Sequence, residues 1–456
     1  MRILLVAMEM SPYLKVGGVA DVIYNWAKTL SERGHEVTVA LPALPHDTPP
    51  HPAWLDLQLL QVKGFQAKNP YTNEIDYHGR HTNVLHQLIQ AILTLCEARA
   101  AQGRPFDILH ANEWPVALLP FLLSRQQLRF PPPRSVLTIH GAIYQGIIPS
   151  WAFERFRVNP FDPPRIVDAD GLISPLAAGV LYCDVLTVPS RTYIKDILDI
   201  KQKDFIGANL FQALQRRSQD IQGILHGVNR EEWNPATDPA LYQCYDANDL
   251  SGKSACKTQL EAELGLAGAQ GGPIILSAGR LCAAKGTDLL VELLPALYKQ
   301  GVRVVIAGAG EPAYEQLVMD AVANAPRGTA SYIGWVDSTT MRRLYSGADI
   351  LVMPSRHEAC GLTQMEAQRY GAVPVVHRCG GLADTVIGHV TGSRTSTGFF
   401  FEKPSIDDFK AVIEEALRLL PTQAFDELRK RCMDAPPNWD TAAELYEKAY
   451  RQALDG

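Results

Sequence analysis

No apolar run in the 456-residue chain approaches the ~20 residues needed to span a bilayer. The eight cysteines are scattered with no C-x-x-C pair, which argues against a disulfide framework and for reduced cytosolic thiols. There is no excess of basic charge. A net charge of −6 gives no footing for nucleic acid or an anionic membrane surface. No G-x-G-x-x-G dinucleotide fingerprint occurs either. The apolar start at Met1 runs into Glu9 without a small-residue cleavage site, so Met1 to Met10 reads as a first strand, not a signal peptide, and a cytoplasmic location is expected. His78, His81 and His86 have no carboxylate or cysteine spaced to complete a metal site. Asp168-Ala-Asp170 imitates a metal-binding D-x-D, but belongs to a different architecture from the one read below. What remains is an ordinary globular composition, 46% hydrophobic and 20% charged, in a chain long enough for two or three domains.

The order of apolar runs points to an α/β chain wound twice. Ile3 to Met8 reads as a buried strand, followed by a loop to Gly18 and a helical stripe of Val19, Ile23, Ala27 and Leu30 ending at Gly34. Glu36 to Leu41 is the next strand. Pro42 to Tyr77, rich in Pro and polar residues, reads as a surface loop. A helix from Val84 to Ala101 follows, then strands at Asp107 to His110, Ser135 to His140, Asp184 to Pro189 and Gly223 to Val228. Pro115 suits a helix first turn. Asn229 to Gly272, punctuated by Pro235, Pro239, Gly268, Gly271 and Gly272, reads as the crossing into a second unit. There strands are expected at Ile274 to Gly279, Val302 to Ala307, Ser331 to Gly334, Asp349 to Met353 and Ala372 to His377. Trp439 to Leu454 has the pattern of an amphipathic helix.

In doubly wound folds ligands bind at strand carboxyl ends, which singles out several loops. Lys15-Val16-Gly17-Gly18 follows the first strand; its glycines allow close backbone approach to a ligand, though a plain tight turn explains them equally well. The second unit echoes it with Arg280 and Lys285-Gly286 between strand and helix. Glu358 precedes a helix opened by Gly361, and Glu366 lies within that helix, which suits one carboxylate at each end of an elongated polar ligand. The N–H groups of Gly361, Leu362 and Thr363 would favour an anion. Gly380-Gly381 opens a second such helix after Ala372 to His377. Trp335 offers an aromatic face to a nucleobase. Taken singly, the two glutamates read as solvated and His140, leaving a buried strand, as a packed polar residue.

Taken together, the motifs are far more specific. Ser355 to Val386, with Glu358-Ala-Cys-Gly-Leu-Thr-Gln364 and Gly380-Gly-Leu-Ala-Asp-Thr-Val386, resembles the carboxyl-terminal signature of bacterial glycogen synthases and plant starch synthases, retaining glycosyltransferases of the GT-B fold. Lys15 to Asp21 resembles their K-T-G-G-L-A-D loop, Arg280 to Gly286 their R-L-x-x-x-K-G, and Thr138 to Gly146 their T-V-H-N-L-A-Y-Q-G. The resemblance implies two Rossmann-like domains, 1–228 on the acceptor side and 229–438 on the donor side, with an inter-domain cleft and the helix at 439–454 returning to the first domain. It implies glucose transfer from a nucleotide sugar, ADP-glucose ahead of UDP-glucose, to the end of an α-1,4-glucan, with closure excluding water and with no cofactor or metal.

By the same resemblance Glu113, His140, Arg280, Lys285 and Glu358 carry the catalysis. Lys15, Gly17, Gly18, Asp21, Tyr144, Gln145, His226, Trp335, Cys360, Gly361, Leu362, Thr363 and Glu366 bind substrate. Four departures stand out: Asn112-Glu113-Trp114-Pro115 in place of H-D-W-H, His226 in place of an asparagine near the donor sugar, Glu366 where an aromatic is usual, and a shortened Lys63 to Tyr77. All but Glu366 leave the acceptor open to a small one, a sugar phosphate or a glycoside; a catalytically silent sugar-nucleotide or glucan-binding module is a third reading.

Overall fold

Val, Ile and Leu crowd the short runs of the chain because these strands are covered by helices on both faces, where no solvated face calls for alternation. The computed structural model describes residues 1–44, 51–67, 71, 80–125, 128–156, 166, 167, 170–266 and 272–456. In it the chain forms two units, Met1–His226 with Trp439–Gly456, and Gly227–Asn438. Expectations that fall on His78, Asp168, Gly268, Gly271 and most of the shortened segment lie outside the described residues.

The first unit carries β1 (Arg2–Val6), β2 (Glu36–Pro42), β3 (Asp56–Leu60), β4 (Ile108–Asn112), β5 (Arg134–Thr138), a small antiparallel pair β6 (Ile148–Pro149) and β7 (Leu172–Ile173), β8 (Val185–Val188) and β9 (Ile221–Gly223). Apart from that pair they form one parallel sheet in the order β3-β2-β1-β4-β5-β8-β9. The order reverses between β1 and β4, so the connections after their carboxyl ends leave in opposite directions and a crevice for a ligand opens between them.

The helix Gly18–Glu32 buries Trp26 against Tyr446 of the helix Trp439–Asp455, with ring centroids 3.8 Å apart. Arg33 and His35 then reach Glu447 of that terminal helix at 2.7 and 3.1 Å. The Arg33 guanidinium is the main reason the Glu447 carboxyl is held down to about 2.

Two sequence expectations fail here. Pro42 to Tyr77 is not wholly loop, because Asp56-Leu-Gln-Leu-Leu60 pairs with β2 in register from Thr38↔Asp56. An edge strand has one neighbour and is half-buried throughout, so it lacks the apolar signal of the inner strands. Its anchor is polar: Thr38 donates to Asp56 at 2.7 Å, and Arg99 pairs with the same carboxylate. The last strand also ends early, at Gly223 instead of Val228, because its partner β8 stops at Val188. The Ile224 amide, 2.8 Å from the Val188 carbonyl, makes the final ladder bond.

The second unit contains β10 (Ile274–Ala278), β11 (Arg303–Ala307), β12 (Ala330–Ile333), β13 (Ile350–Met353), β14 (Val373–His377) and β15 (Phe399–Phe401), all parallel, in the order β12-β11-β10-β13-β14-β15. Leu289, Leu290, Leu293, Leu294 and Leu297 of the helix Thr287–Lys299 pack on Ile275, Val304, Ile306 and Val352. Each such leucine stabilises the fold by roughly 1.5–3 kcal/mol relative to an exposed one. The presumed crossing, Asn229 to Gly272, belongs to this unit and contains the helix Ser251–Glu263. Here the strand order reverses between β10 and β13. Elsewhere strand ends differ from the sequence reading by a residue or two.

Candidate functional site

In the second unit the switch point is assembled by one close backbone contact. After β10 come the exposed Arg280, a short turn Ala283–Lys285 and Gly286, which opens the helix Thr287–Lys299. Gly286 has φ 68°, and a Cβ there would lie 2.1 Å from the Pro354 carbonyl oxygen. Glycine therefore lets the turn after β10 press on the segment after β13.

Arg356 seals the join. Its amide donates to the Ala284 carbonyl at 2.8 Å, and its guanidinium takes Asp288 with two bonds of 2.7 and 2.6 Å. Lys285 Nζ is thereby set 2.5 Å from Glu358 Oε2, an oxygen that also accepts from the Ser355 hydroxyl at 3.4 Å. The glutamate side chain is only 10% exposed, the lysine 33%. Neither Arg356 nor Asp288 was singled out from sequence. Their signal is long-range, a cation beside Glu358 meeting an acid in the first turn of another helix.

The next strand end adds a second tight contact. The Gly381 amide donates to the Glu358 carbonyl at 3.0 Å, and a Cβ on Gly381 would lie 1.9 Å from the Cys360 carbonyl oxygen. Cys360 and Gly361 are thus pinned where the helix Leu362–Arg369 begins, with the N–H groups of Leu362 and Thr363 in its first turn. Glu366, further along that helix, is half-buried and accepts from the Tyr345 hydroxyl at 3.2 Å. Trp335 follows β12 at the edge of the sheet and is 72% exposed. The structure therefore gathers Arg280, Lys285, Glu358, Cys360, Gly361, Leu362 and Thr363 at the β10/β13 switch, with Glu366 beyond them and Trp335 two strands from β10.

The first unit's switch is built from buried polar groups. Glu9, 1% exposed, closes the loop after β1 by accepting the Val16 and Gly17 amides at 2.7 and 2.9 Å. Burial lifts its carboxyl above the usual range against the pull of those amides. Lys15 lies 2.7 Å from Asp21, which also accepts from Ser11 at 2.7 Å; Gly17 and Gly18 start the helix beside them.

After β4, Glu113 is buried and its Oε1 accepts the Gly141 amide at 2.7 Å; burial pushes its carboxyl up to about 8. After β5, His140 Nε2 is 2.9 Å from Asn112 Oδ1. Asn112 spends its Nδ2 on the Val6 and His110 carbonyls at 3.3 and 3.2 Å, so its oxygen faces the imidazole. This sets His140 as the tautomer with the proton on Nε2 and a lone pair on Nδ1. Burial, with His226 and His110 adding to it, keeps the ring well below the usual histidine range and hence neutral.

His226 is 1% exposed, 5.3 Å from the His140 ring and stacked on Trp439 at 5.7 Å; burial lowers it to about 3. Neither of its ring nitrogens has a hydrogen-bond partner among the described residues. Tyr144 is half-buried. Gln145 turns inward: its amide donates to the Ile206 carbonyl, and its oxygen accepts from Ser174 at 3.2 Å. Glu9 is the residue that sequence reasoning passed over in this unit, and Asn112 was noted only as part of a segment departing from the family pattern, without a role. Among the described residues no three His, Cys, Asp or Glu side chains gather as a metal set, and no helix is long and apolar enough to cross a membrane.

Comparison with known proteins meets this geometry from outside. Residues 2–216 match the family model described as "Starch synthase catalytic domain", and residues 266–436 match "Glycosyl transferases group 1". The chain is 35% identical to a glycogen synthase of Anaeromyxobacter dehalogenans over the whole of both sequences. It is 32% identical to one of Alkalilimnicola ehrlichii, over 99% of this chain and 98% of that one. Among solved structures it is similar to the catalytic domain of starch synthase IV from Arabidopsis thaliana bound to ADP and acarbose. The TM-score there is 0.88 at 23% identity, covering 100% of this chain and 99% of that one. It is also similar to sucrose-phosphate synthase from Thermosynechococcus elongatus, at TM-score 0.64 and 18% identity over 100% and 99% of the two chains. These likenesses give the fold as GT-B. With relatives at this identity aligned from end to end, the chain belongs to the glycogen synthase and starch synthase family and is a glucosyltransferase of that type.

Proposed function

We propose that the enzyme extends an α-1,4-glucan from ADP-glucose with retention of anomeric configuration. The observation that supports this most is the Lys285–Glu358 pair at the β10/β13 switch, 2.5 Å apart and beside the start of the helix Leu362–Arg369. Opening a glycosyl–diphosphate bond puts positive charge on the anomeric carbon and negative charge on the departing oxygen. Lys285 and Arg280 are the cations placed to receive that oxygen's charge, aided by the amides of Gly361, Leu362 and Thr363. As the diphosphate draws the ammonium of Lys285 toward itself, Glu358 is released to accept hydroxyls of the glucose.

The acceptor hydroxyl attacks the same face that the diphosphate leaves. Its proton passes to the departing phosphate oxygen while the new C–O bond forms, so no protein nucleophile is needed. Glu366 holds the ribose and Trp335 stacks on the base. In the first unit His140, neutral with a lone pair on Nδ1, accepts a hydroxyl of the reacting sugar. Lys15, Gly17, Gly18, Asp21, Tyr144, His226 and Cys360 complete the substrate surfaces. The reaction takes place in the cytoplasm, a placement supported by the scattered cysteines.

A second reading, transfer to a small acceptor such as a sugar phosphate, is favoured by one feature. The segment Asn112-Glu113-Trp114-Pro115 departs from the family pattern on the acceptor side. A transfer assay crossing ADP-glucose and UDP-glucose with glycogen, maltose and glucose phosphates decides between the two. Chain extension of glycogen from ADP-glucose is expected. Product on small acceptors alone would replace the polymer reading, and a strong preference for UDP-glucose would overturn the donor.

A further inference from the structure

Glu113 alone among the described non-glycine residues has a positive φ. At φ 71° and ψ 171° it occupies a region in which only glycine sits without strain. Such a conformation costs on the order of 1–3 kcal/mol and persists where surrounding bonds over-determine it. Those bonds are present. The side chain is 4% exposed, and its Oε1 accepts the Gly141 amide at 2.7 Å. Its own amide donates to the carbonyl of Thr138, the last residue of β5, at 3.1 Å.

Both of these bonds tie the end of β4 to the end of β5 or to the turn after it, which carries His140. A carboxyl group this deeply buried and already bonded to a backbone amide is poorly placed to take a sugar hydroxyl. We propose that Glu113 is a positioning residue and not a sugar ligand: it straps the turn after β5 so that His140, bonded to Asn112, presents its ring to the reacting sugar. The kinetic part of this rests on the glucosyl transfer proposed above; the strap itself does not.

The strap has an unusual consequence. Removing the side chain while permitting the backbone conformation leaves the Gly141 N–H facing the space of the lost carboxyl, a seat for a small carboxylate. Glu113→Gly does both at once, because glycine tolerates φ 71°. This variant is expected to fold with a melting temperature no lower than the parent's. Its kcat should fall at least 100-fold while the donor KM stays within about threefold, as lost orientation of a reacting group predicts. Sodium formate should restore at least tenfold of that loss with saturation, and should restore nothing to Lys285→Ala.

A folded Glu113→Gly enzyme with parental kcat would overturn the proposal. So would a large rise in substrate KM at unchanged kcat, which marks direct contact, or an impaired variant indifferent to formate. Should the glycine variant not fold, Glu113→Gln keeps an acceptor oxygen at the Gly141 amide and should retain kcat within tenfold; a 100-fold loss there contradicts the strap. If the parent transfers glucose to no acceptor, the proposed function has failed, and the strap is read by NMR. The His140 ring resonances should shift in Glu113→Gly and return with formate; unmoved resonances would overturn it.

Discussion

The two units share one topology and use it in opposite ways. Each is a parallel sheet whose order reverses once, between β1 and β4 in the first and between β10 and β13 in the second. At the first reversal the groups are buried, and burial works against their charged forms: Glu9 and Glu113 are pushed up by desolvation, His140 and His226 pushed down. At the second the charges are open. Lys285 is one-third exposed and Arg280 is exposed. An open ammonium can move to a diphosphate at small cost, whereas a buried neutral imidazole can only accept or donate where it stands. The fold therefore does not dictate the chemistry of its switch point. Burial does.

That contrast can be broken at its strongest place first. Glu358→Ala leaves Lys285 without its partner and, on the proposed mechanism, the glucose without an acceptor. Turnover is expected to fall by about 10²–10³, in the range seen for lost charge-stabilising groups, with the circular dichroism spectrum unchanged. Turnover within tenfold of the parent would place the reaction's charge handling elsewhere.

The backbone contact beneath the pair comes next. Gly286→Ala forces a Cβ into the Pro354 carbonyl at a positive φ. Strain of this kind costs on the order of 1–3 kcal/mol, to be read as a drop in urea midpoint, together with a lower kcat as Lys285 leaves Glu358. A variant with the parent's midpoint and kcat would show that the turn has slack.

Trp335→Ala should raise the donor KM about tenfold with kcat nearly unchanged, since stacking on a base contributes roughly 1–3 kcal/mol. An unchanged KM removes Trp335 from the base site.

The smallest effects sharpen the contrast by pH. The Glu447 carboxyl is held down to about 2 by Arg33, so its stabilisation is full above about 4.5 and is lost as pH falls toward 2. Glu113 has the opposite sign. Lifted to about 8, it favours the folded state most below about 4.5, and that contribution fades as pH rises through 8. Glu447→Gln should therefore flatten the acid side of the melting-temperature profile, and Glu113→Gln its slope between about pH 4.5 and 8. Parallel profiles for parent and variants would refute the two assignments.

The second switch point was largely legible in the sequence because its parts are local. Arg280, Lys285 and Gly286 follow one strand within a single turn, and Glu358 and Gly361 follow another. What sequence could not convey is the clamp that joins them, since Arg356 and Asp288 come from different loops and only the fold makes them neighbours. The first switch point was legible through the resemblance of Thr138 to Gly146 and hardly otherwise. Gln145 lies inside that motif yet points into the core, toward Ile206 and Ser174. Glu9 and Asn112 look like ordinary residues at strand ends, and their roles depend on amides and a ring brought in from elsewhere. The edge strand β3 escaped for a simpler reason, its anchor being the Asp56 ion pair and not an apolar run.

Turnover of a folded Lys285→Ala enzyme with ADP-glucose and glycogen bears most directly on the claim that an open cation takes the charge of the departing diphosphate. A fall of about 10²–10³ in kcat is the predicted result. A rate close to the parent's, with the fold intact, would contradict it.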